Sequence, residues 1–328
     1  MDISFFIVRC ITNERNAFYW RVCYDRLHSI YPDAKIYVVD DKSRLQRYTM
    51  PSRYTTSLSL QPYSYYTKEQ LLDYGKLYPD LQVYQNDIAK LYTHWQKYGK
   101  YENRKMPSKS SDNDNMEDPS RSIWEELPNL EYIKSDYNGR GEILGYYYYY
   151  LLHPTEKAII LHDSVFINEP IQYNKHNKCE FLWRFNPDVC VDNGQGKDRI
   201  NSMDIINMIV YLGNSYKNGY KPLINFYKRK NWYGCFGIMS VVNWSLLETI
   251  NVKYNFFETI LLIVDNRYKR QCLERVFGFL MCYELQGVNV LYGNIRNYCK
   301  WGISFQLDML NKDTVRQRLP ITKVWSGR

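Results

Sequence analysis

This chain of 328 residues predicts an α/β fold, a doubly wound and mainly parallel sheet flanked by helices, on three observations. Near the amino end a strand-like run, a helical pattern and a second strand-like run follow one another, which is the first unit of such a sheet. In mid-chain the apolar run A-I-I-L at 158–161 is broken by His162, Asp163 and Ser164 before apolar residues resume at Val165. A buried strand carries an ionisable pair in its middle only at a cost. The pair therefore belongs at the carboxyl end of a strand, where open α/β sheets bind their ligands. The same residues also suit a plain strand end at which Asp163 caps the next turn. Third, an apolar fraction of 45% is enough for a substantial core.

Taken in order, residues 4–11 read as a strand, and Thr12 and Asn13 supply capping side chains for a helix. Trp20, Cys23, Tyr24, Leu27 and Ile30 recur at helical spacing until Tyr31-Pro32 stops the pattern. A second strand at 35–39 ends in D-D-K-S. Residues 48–127 break the rhythm and read as a helical insertion within a single domain spanning 1–328. Residues 68–77 and 85–97 look helical there, and the polar tract 104–121 is expected to be mobile. Order returns with a strand at 130–135. G-R-G-E at 139–142 then opens a helix that His153-Pro154 ends, and 157–161 forms the central strand. A further strand at 179–185, a Gly-containing turn at 193–197 and a helix at 200–212 follow. Residues 231–240 read as a Gly- and aromatic-rich loop, with helices around 245–250 and 269–285 after it.

Composition narrows the function classes. The net charge of +8 favours phosphate-bearing partners, but no Lys/Arg stripe is concentrated on one helix, which argues against a nucleic-acid binder. The 33 tyrosines, with abundant Asn, Lys and Ile, suggest codon bias. Eight cysteines form no C-x-x-C pair and no zinc spacing, so reduced thiols in the cytosol are expected. No signal-peptide pattern and no membrane-length apolar run is present, so the expectation is an intracellular chain without a transmembrane segment.

Several constellations could carry chemistry. Asp40 and Asp41 at a strand end suit hydrogen bonds to a ribose or base, or a solvated turn. Gly139 and Gly141 allow close backbone approach, the helix start favours an anion, and Arg140 could reach a diphosphate; a plain loop would look similar. Asp163, between His162 and Ser164, is the candidate ligand for a divalent cation, although one carboxylate is a poor set for such an ion. Phosphates and waters would complete the shell, or cationic side chains would replace the metal. Trp232, Tyr233, Gly234 and Phe236 suit stacking against a sugar ring or a core-facing turn. Glu274, flanked by Arg270 and Arg275, suits a salt bridge or a general base.

In order, these pieces are strand–helix–strand with D-D-K-S, G-R-G-E, I-L-H-D-S-V-F-I, W-Y-G-C-F-G and L-E-R-V-F-G. The series resembles the GT-A glycosyltransferase plan, especially glycosyltransferase-like proteins of giant DNA viruses. F-F-I-V-R-C-I-T-N-E-R-N near the start and K-V-W-S-G-R at the end look like that viral family too. The likeness covers nearly everything outside 48–127. It implies a GT-A-like (Rossmann-like) mixed, mainly parallel sheet. It also implies a nucleotide-diphosphate-sugar donor, a glycan or protein hydroxyl acceptor, a manganese or magnesium ion, and a site of action in the host cytoplasm, virus factory or virion. In that plan Asp40 and Asp41 would hold the nucleoside and Arg140 would lie near the donor. His162-Asp163-Ser164 takes the place of the D-x-D motif, with Asp163 on the metal. Trp232, Tyr233, Gly234 and Phe236 would hold the acceptor, and Glu274 would be the catalytic base. H-D-S keeps one acid where D-x-D keeps two, so a catalytically inactive GT-A-like relative that binds glycans or nucleotides as a scaffold is the alternative.

Overall fold

The computed structural model describes residues 3–12, 14–43, 68–84, 90, 91, 94, 102, 104, 127–186, 200–299 and 319–324. The chain divides into two compact units, one formed by Met1–Tyr48 with Glu126–Arg328 and the other by Thr49–Glu125. The interruption expected at 48–127 is thus a compact unit of its own.

In the larger unit β1 (Ile3–Arg9) leads through α1 (Glu14–Ile30) to β2 (Lys35–Asp40). The smaller unit contributes α2 (Lys68–Leu77) and a 3-10 helix at Pro79–Tyr84 around a core of Tyr74, Leu81 and Leu91. Back in the larger unit come β3 (Leu130–Lys134), α3 (Ile143–Leu152), β4 (Lys157–His162), β5 (Val165–Ile167), β6 (Cys179–Phe181) and β7 (Arg184–Phe185). Then α4 (Ser202–Ser215), α5 (Lys221–Lys228), β8 (Gly234–Cys235), β9 (Ser240–Asn243), α6 (Trp244–Tyr254) and α7 (Phe256–Ile263) follow. The long α8 (Arg267–Leu285), β10 (Asn289–Val290), α9 (Ile295–Cys299) and β11 (Ile321–Lys323) complete the described elements.

The main sheet has the order β10-β6-β9-β4-β1-β2-β3. β3, β2, β1 and β4 run parallel, and β9 runs against both of its neighbours. The α/β class and the mainly parallel sheet are therefore as the sequence predicts. Two side-chain faces alternate along β1. Phe5 and Ile7 join Ile159, Leu161 and the Trp20, Cys23, Tyr24 and Leu27 stripe of α1 in one core cluster. On the other face Gly145 brings α3 against the sheet: a Cβ there would lie 2.8 Å from Ile160 and 3.2 Å from Val8. Right-handed crossovers that travel in opposite directions along a sheet place their helices on opposite faces, as α1 and α3 are placed.

The chain leaves β1 toward β2 and returns to β4 on the other side of β1. The switch point of the sheet is therefore between β1 and β4, and its carboxyl edge there is where α/β folds bind ligands. Register puts Val8 opposite His162 and Arg9 opposite Asp40, so the residues that follow all three strands meet at one level.

Three local expectations are corrected. The strand expected at 179–185 is two: β6 pairs with β9 in the main sheet, whereas β7 pairs with β8 in a separate ribbon. The break falls at Leu182 and Trp183, both fully buried. The loop expected at 231–240 contains β8, a 3-10 turn at Phe236–Ile238 and the first residue of β9. The helices α5 and α7 were not expected. The expected turn at 193–197, nearly all of the 85–97 helix and all but Arg104 of the 104–121 tract lie outside the described residues. Among the described residues no helix is long and apolar enough to cross a membrane.

Candidate active site at the carboxyl edge

Asp163 and Ser164 form the turn between β4 and β5. Asp163 is 0% exposed. Its N–H donates to Val8 O at 3.2 Å, and its Oδ2 accepts the Cys10 N–H at 3.3 Å, so this residue ties the ends of β4 and β1 together across the switch point. Beside it β11 brings a buried cation. The Lys323 ammonium donates to Ser164 Oγ and, at 3.1 Å, to Val324 O, while the Val324 N–H donates to Ser164 O at 3.0 Å.

His162 turns toward α8. Its Nε2 stands 3.0 Å from Gly237 O and 3.5 Å from Glu142 Oε1. Both partners only accept, so Nε2 carries the proton. Glu142 Oε2 lies 3.9 Å from Arg270 Nη1. One turn along α8, Glu274 Oε1 accepts the Gly237 N–H at 3.0 Å, and Arg275 Nη1 is 4.0 Å from Oε2. A single residue, Gly237, thus links His162 through its carbonyl and Glu274 through its N–H. Gly237 has φ +57°, and a Cβ there would lie 2.6 Å from the imidazole, so only glycine closes this turn without strain.

These side chains are partly open to solvent: 16% for His162, 22% for Glu142, 24% for Arg270 and 21% for Glu274. Burial pushes the Glu274 carboxyl up to about 7; Arg275 opposes the rise and Glu142 adds to it. Burial acts upward on Glu142 as well, but the charges of Arg270 and His162 outweigh it and hold that carboxyl below its ordinary value. Two neighbouring carboxyls are thereby driven apart, one kept ionised and the other poised near neutrality. That is the arrangement acid–base chemistry needs.

The acids expected to hold a nucleoside have protein partners instead. Asp40 accepts Arg9 Nε at 2.9 Å and both the N–H and the hydroxyl of Ser43, at 2.9 and 2.7 Å. Asp41 accepts the N–H groups of Gly139 at 2.5 Å and Gly141 at 2.7 Å, one on each oxygen. Burial raises its carboxyl, and those two N–H groups pull against the rise. Asp41 therefore shapes the loop that presents Glu142. Arg140 points elsewhere, with Nε donating to Leu261 O and Nη1 to Asn138 O, both at 2.9 Å. Arg270 is the guanidinium at the cluster. Gly141 is where it passes: a Cβ would lie 2.4 Å from Arg270 Cδ, and φ is +62°.

The aromatic loop divides. Trp232 is 3% exposed, donates its indole N–H to Tyr227 O at 3.0 Å and packs edge-on to Phe279, so its ring offers no stacking face. Gly234 is buried against Phe185, where a Cβ would lie 2.1 Å from the ring. Phe236 packs edge-on to Trp183. Tyr233, 37% exposed, is the most open ring of the loop, with the Arg184 guanidinium 4.2 Å from its centroid, while Phe236 is half-buried. Of the expected site residues, His162 and Glu274 are brought together through Gly237, whereas the Asp163 side chain is buried against the end of β1. Glu142, Arg270 and Lys323 were missed. The i,i+4 spacing of Arg270 and Glu274 was the available signal for one; nothing in the sequence ties Lys323 to Ser164.

The donor set fits a divalent cation poorly. Among the described residues no group of three or more His, Cys, Asp or Glu side chains could hold one. Asp163 is the one acid of its turn, it already accepts a backbone N–H, and an ammonium lies against its neighbour Ser164. The chain matches no protein-family model, no curated protein and no solved structure.

Proposed function

We propose that the chain is a GT-A-like glycosyltransferase that moves a sugar from a nucleotide-diphosphate-sugar donor to a hydroxyl acceptor with inversion. The observation that carries the reading is Glu274, with its carboxyl raised to about 7, in a partly open cluster with His162, Glu142 and Arg270 beside the switch point. The mixed, mainly parallel sheet is compatible with the plan, and affiliation with glycosyltransferase-like proteins of giant DNA viruses rests on the motif series alone.

In this reading Glu274 accepts the proton of the acceptor hydroxyl as its oxygen attacks the anomeric carbon. The bond from that carbon to the diphosphate oxygen breaks on the opposite face, and the diphosphate leaves with the electron pair. Arg270 and Lys323 supply the positive charge that leaving group needs. A base of this kind contributes roughly 10²–10⁴-fold.

A thermal-shift and transfer screen against nucleotide-diphosphate sugars, with and without manganese, tests the proposal. Glu274→Gln should retain the donor-induced shift and lose transfer by about 10²-fold or more. Full transfer in that variant removes Glu274 from the role, and the absence of both shift and transfer across the panel overturns the proposal. A catalytically silent glycan- or nucleotide-binding relative is the second reading, favoured by the partners already held by Asp40 and Asp41. Binding without transfer in the unaltered chain would support it.

A further inference from the structure

An open cleft outlined by described residues lies at the far end of α8. It has a volume of about 760 Å³, within the range of small-ligand sites. Cys282 lines it eight residues beyond Glu274, about 12 Å along the helix at 1.5 Å per residue. Phe226 and Tyr283 form an aromatic wall, with ring centroids 5.3 Å apart, and Phe279 braces Phe226 at 5.7 Å. Tyr233 adds an exposed ring. Asn231, Gln286 and Asn289 line the opening, all three are exposed, and none of their side-chain amides has a hydrogen-bonding partner among the described residues.

Charge decides the class of ligand. The cleft's cation, Lys253, lies 2.8 and 2.9 Å from the two oxygens of Glu284, and its ammonium is 4.7 Å from the Tyr216 centroid. Tyr254 donates its hydroxyl to the same carboxylate. Cation and anion are thus compensated by one another and held in place, so among the residues that line the cleft an ionic ligand would find no free counter-charge. What remains is a set of amides that both donate and accept, beside fixed aromatic faces. We infer that this cleft is a binding site for a neutral oligosaccharide, its hydroxyls met by Asn231, Gln286 and Asn289 and its apolar ring faces by Tyr233, Phe226 and Tyr283. The site goes beyond the transfer reading and does not depend on it.

Saturation-transfer NMR and calorimetry with maltohexaose, cellohexaose, mannohexaose and chitohexaose, with a sulfated heparin hexasaccharide as charged control, test the site. At least one neutral hexaose should bind. The triple variant N231A/Q286A/N289A should weaken that binding by tenfold or more with an unchanged melting temperature, whereas Glu274→Gln should leave it unaltered. Absence of binding by all four neutral sugars at millimolar concentration overturns the inference. So does preference for the sulfated control, equal affinity in the triple variant, or loss of binding in Glu274→Gln. None of these readouts requires turnover, so failure of the glycosyltransferase reading is seen separately.

Discussion

The two ends of α8 face regions built on opposite plans. Its amino-terminal half carries Arg270 and Glu274 into a cluster where partners are close and one carboxyl is held near neutrality. Its carboxyl-terminal half borders a cleft where Lys253 and Glu284 compensate one another and whose amide-bearing residues are open to solvent. Between them Gly278 lets β8 lie against the helix. Chemistry requires groups whose charge the fold has displaced from its ordinary state, whereas recognition of a neutral ligand requires groups the fold leaves unused. The difference should appear in stability: changes at the cluster should move it, and changes at the cleft should not.

The largest effect is expected from Asp41→Ala. It leaves the Gly139 and Gly141 N–H groups without their acceptor, at a cost of about 2–5 kcal/mol in urea unfolding. A loss below about 1 kcal/mol would mean the loop holds its shape unaided. Gly278→Ala comes next. Its Cβ would lie 2.2 Å from Tyr233 O, which is backbone and yields poorly, so about 1–3 kcal/mol should be lost. Unchanged stability there would show that helix and ribbon are not in the contact described.

Glu274→Gln should act in the other direction, with a gain that grows as pH rises from about 4.5 to about 7. With the carboxyl raised from 4.5 to about 7, the folded state favours the protonated form. That contribution is complete below the unfolded value of 4.5, is lost as pH rises through about 7, and leaves the charged form as a burden above it. Glutamine stays neutral and keeps an oxygen for the Gly237 N–H. Discounted for its partial exposure, the gain should be about 1–2 kcal/mol at pH 8 and near zero at pH 4 in paired unfolding curves. A gain that does not vary with pH would detach it from ionisation. The smallest effect belongs to Asn289→Ala, which should change stability by less than about 0.5 kcal/mol while lowering hexaose affinity. A larger loss of stability would place Asn289 in the scaffold and end the contrast.

How much of this was legible follows from the length and pattern of the elements. β1, β2 and β4 are continuous apolar runs, and α1 has a clear stripe from Trp20 to Ile30, so the sheet's parallel half could be read directly. β9 has four residues directly followed by α6, and β8 has two; neither is long enough to show a period. α7 escaped because F-F-E-T-I-L-L-I is short, and Asn255, with φ +48°, joins it to α6 without a visible break. At the site, H-D-S and Glu274 were visible as polar breaks in apolar runs. The choice between Arg140 and Arg270 was not: it depends on Arg140 reaching Leu261 O, a contact 121 residues away. Trp232 looked like a stacking residue because its burial is set by Tyr227 and Phe279 on other elements.

The protonation of Glu274 is the most direct point of attack. Carboxyl carbon-13 NMR, with the resonance assigned by its disappearance in Glu274→Gln, should show one glutamate titrating near pH 7. A resonance that instead titrates near 4.5 would contradict the account, because Glu274 would then be an ordinary solvated acid.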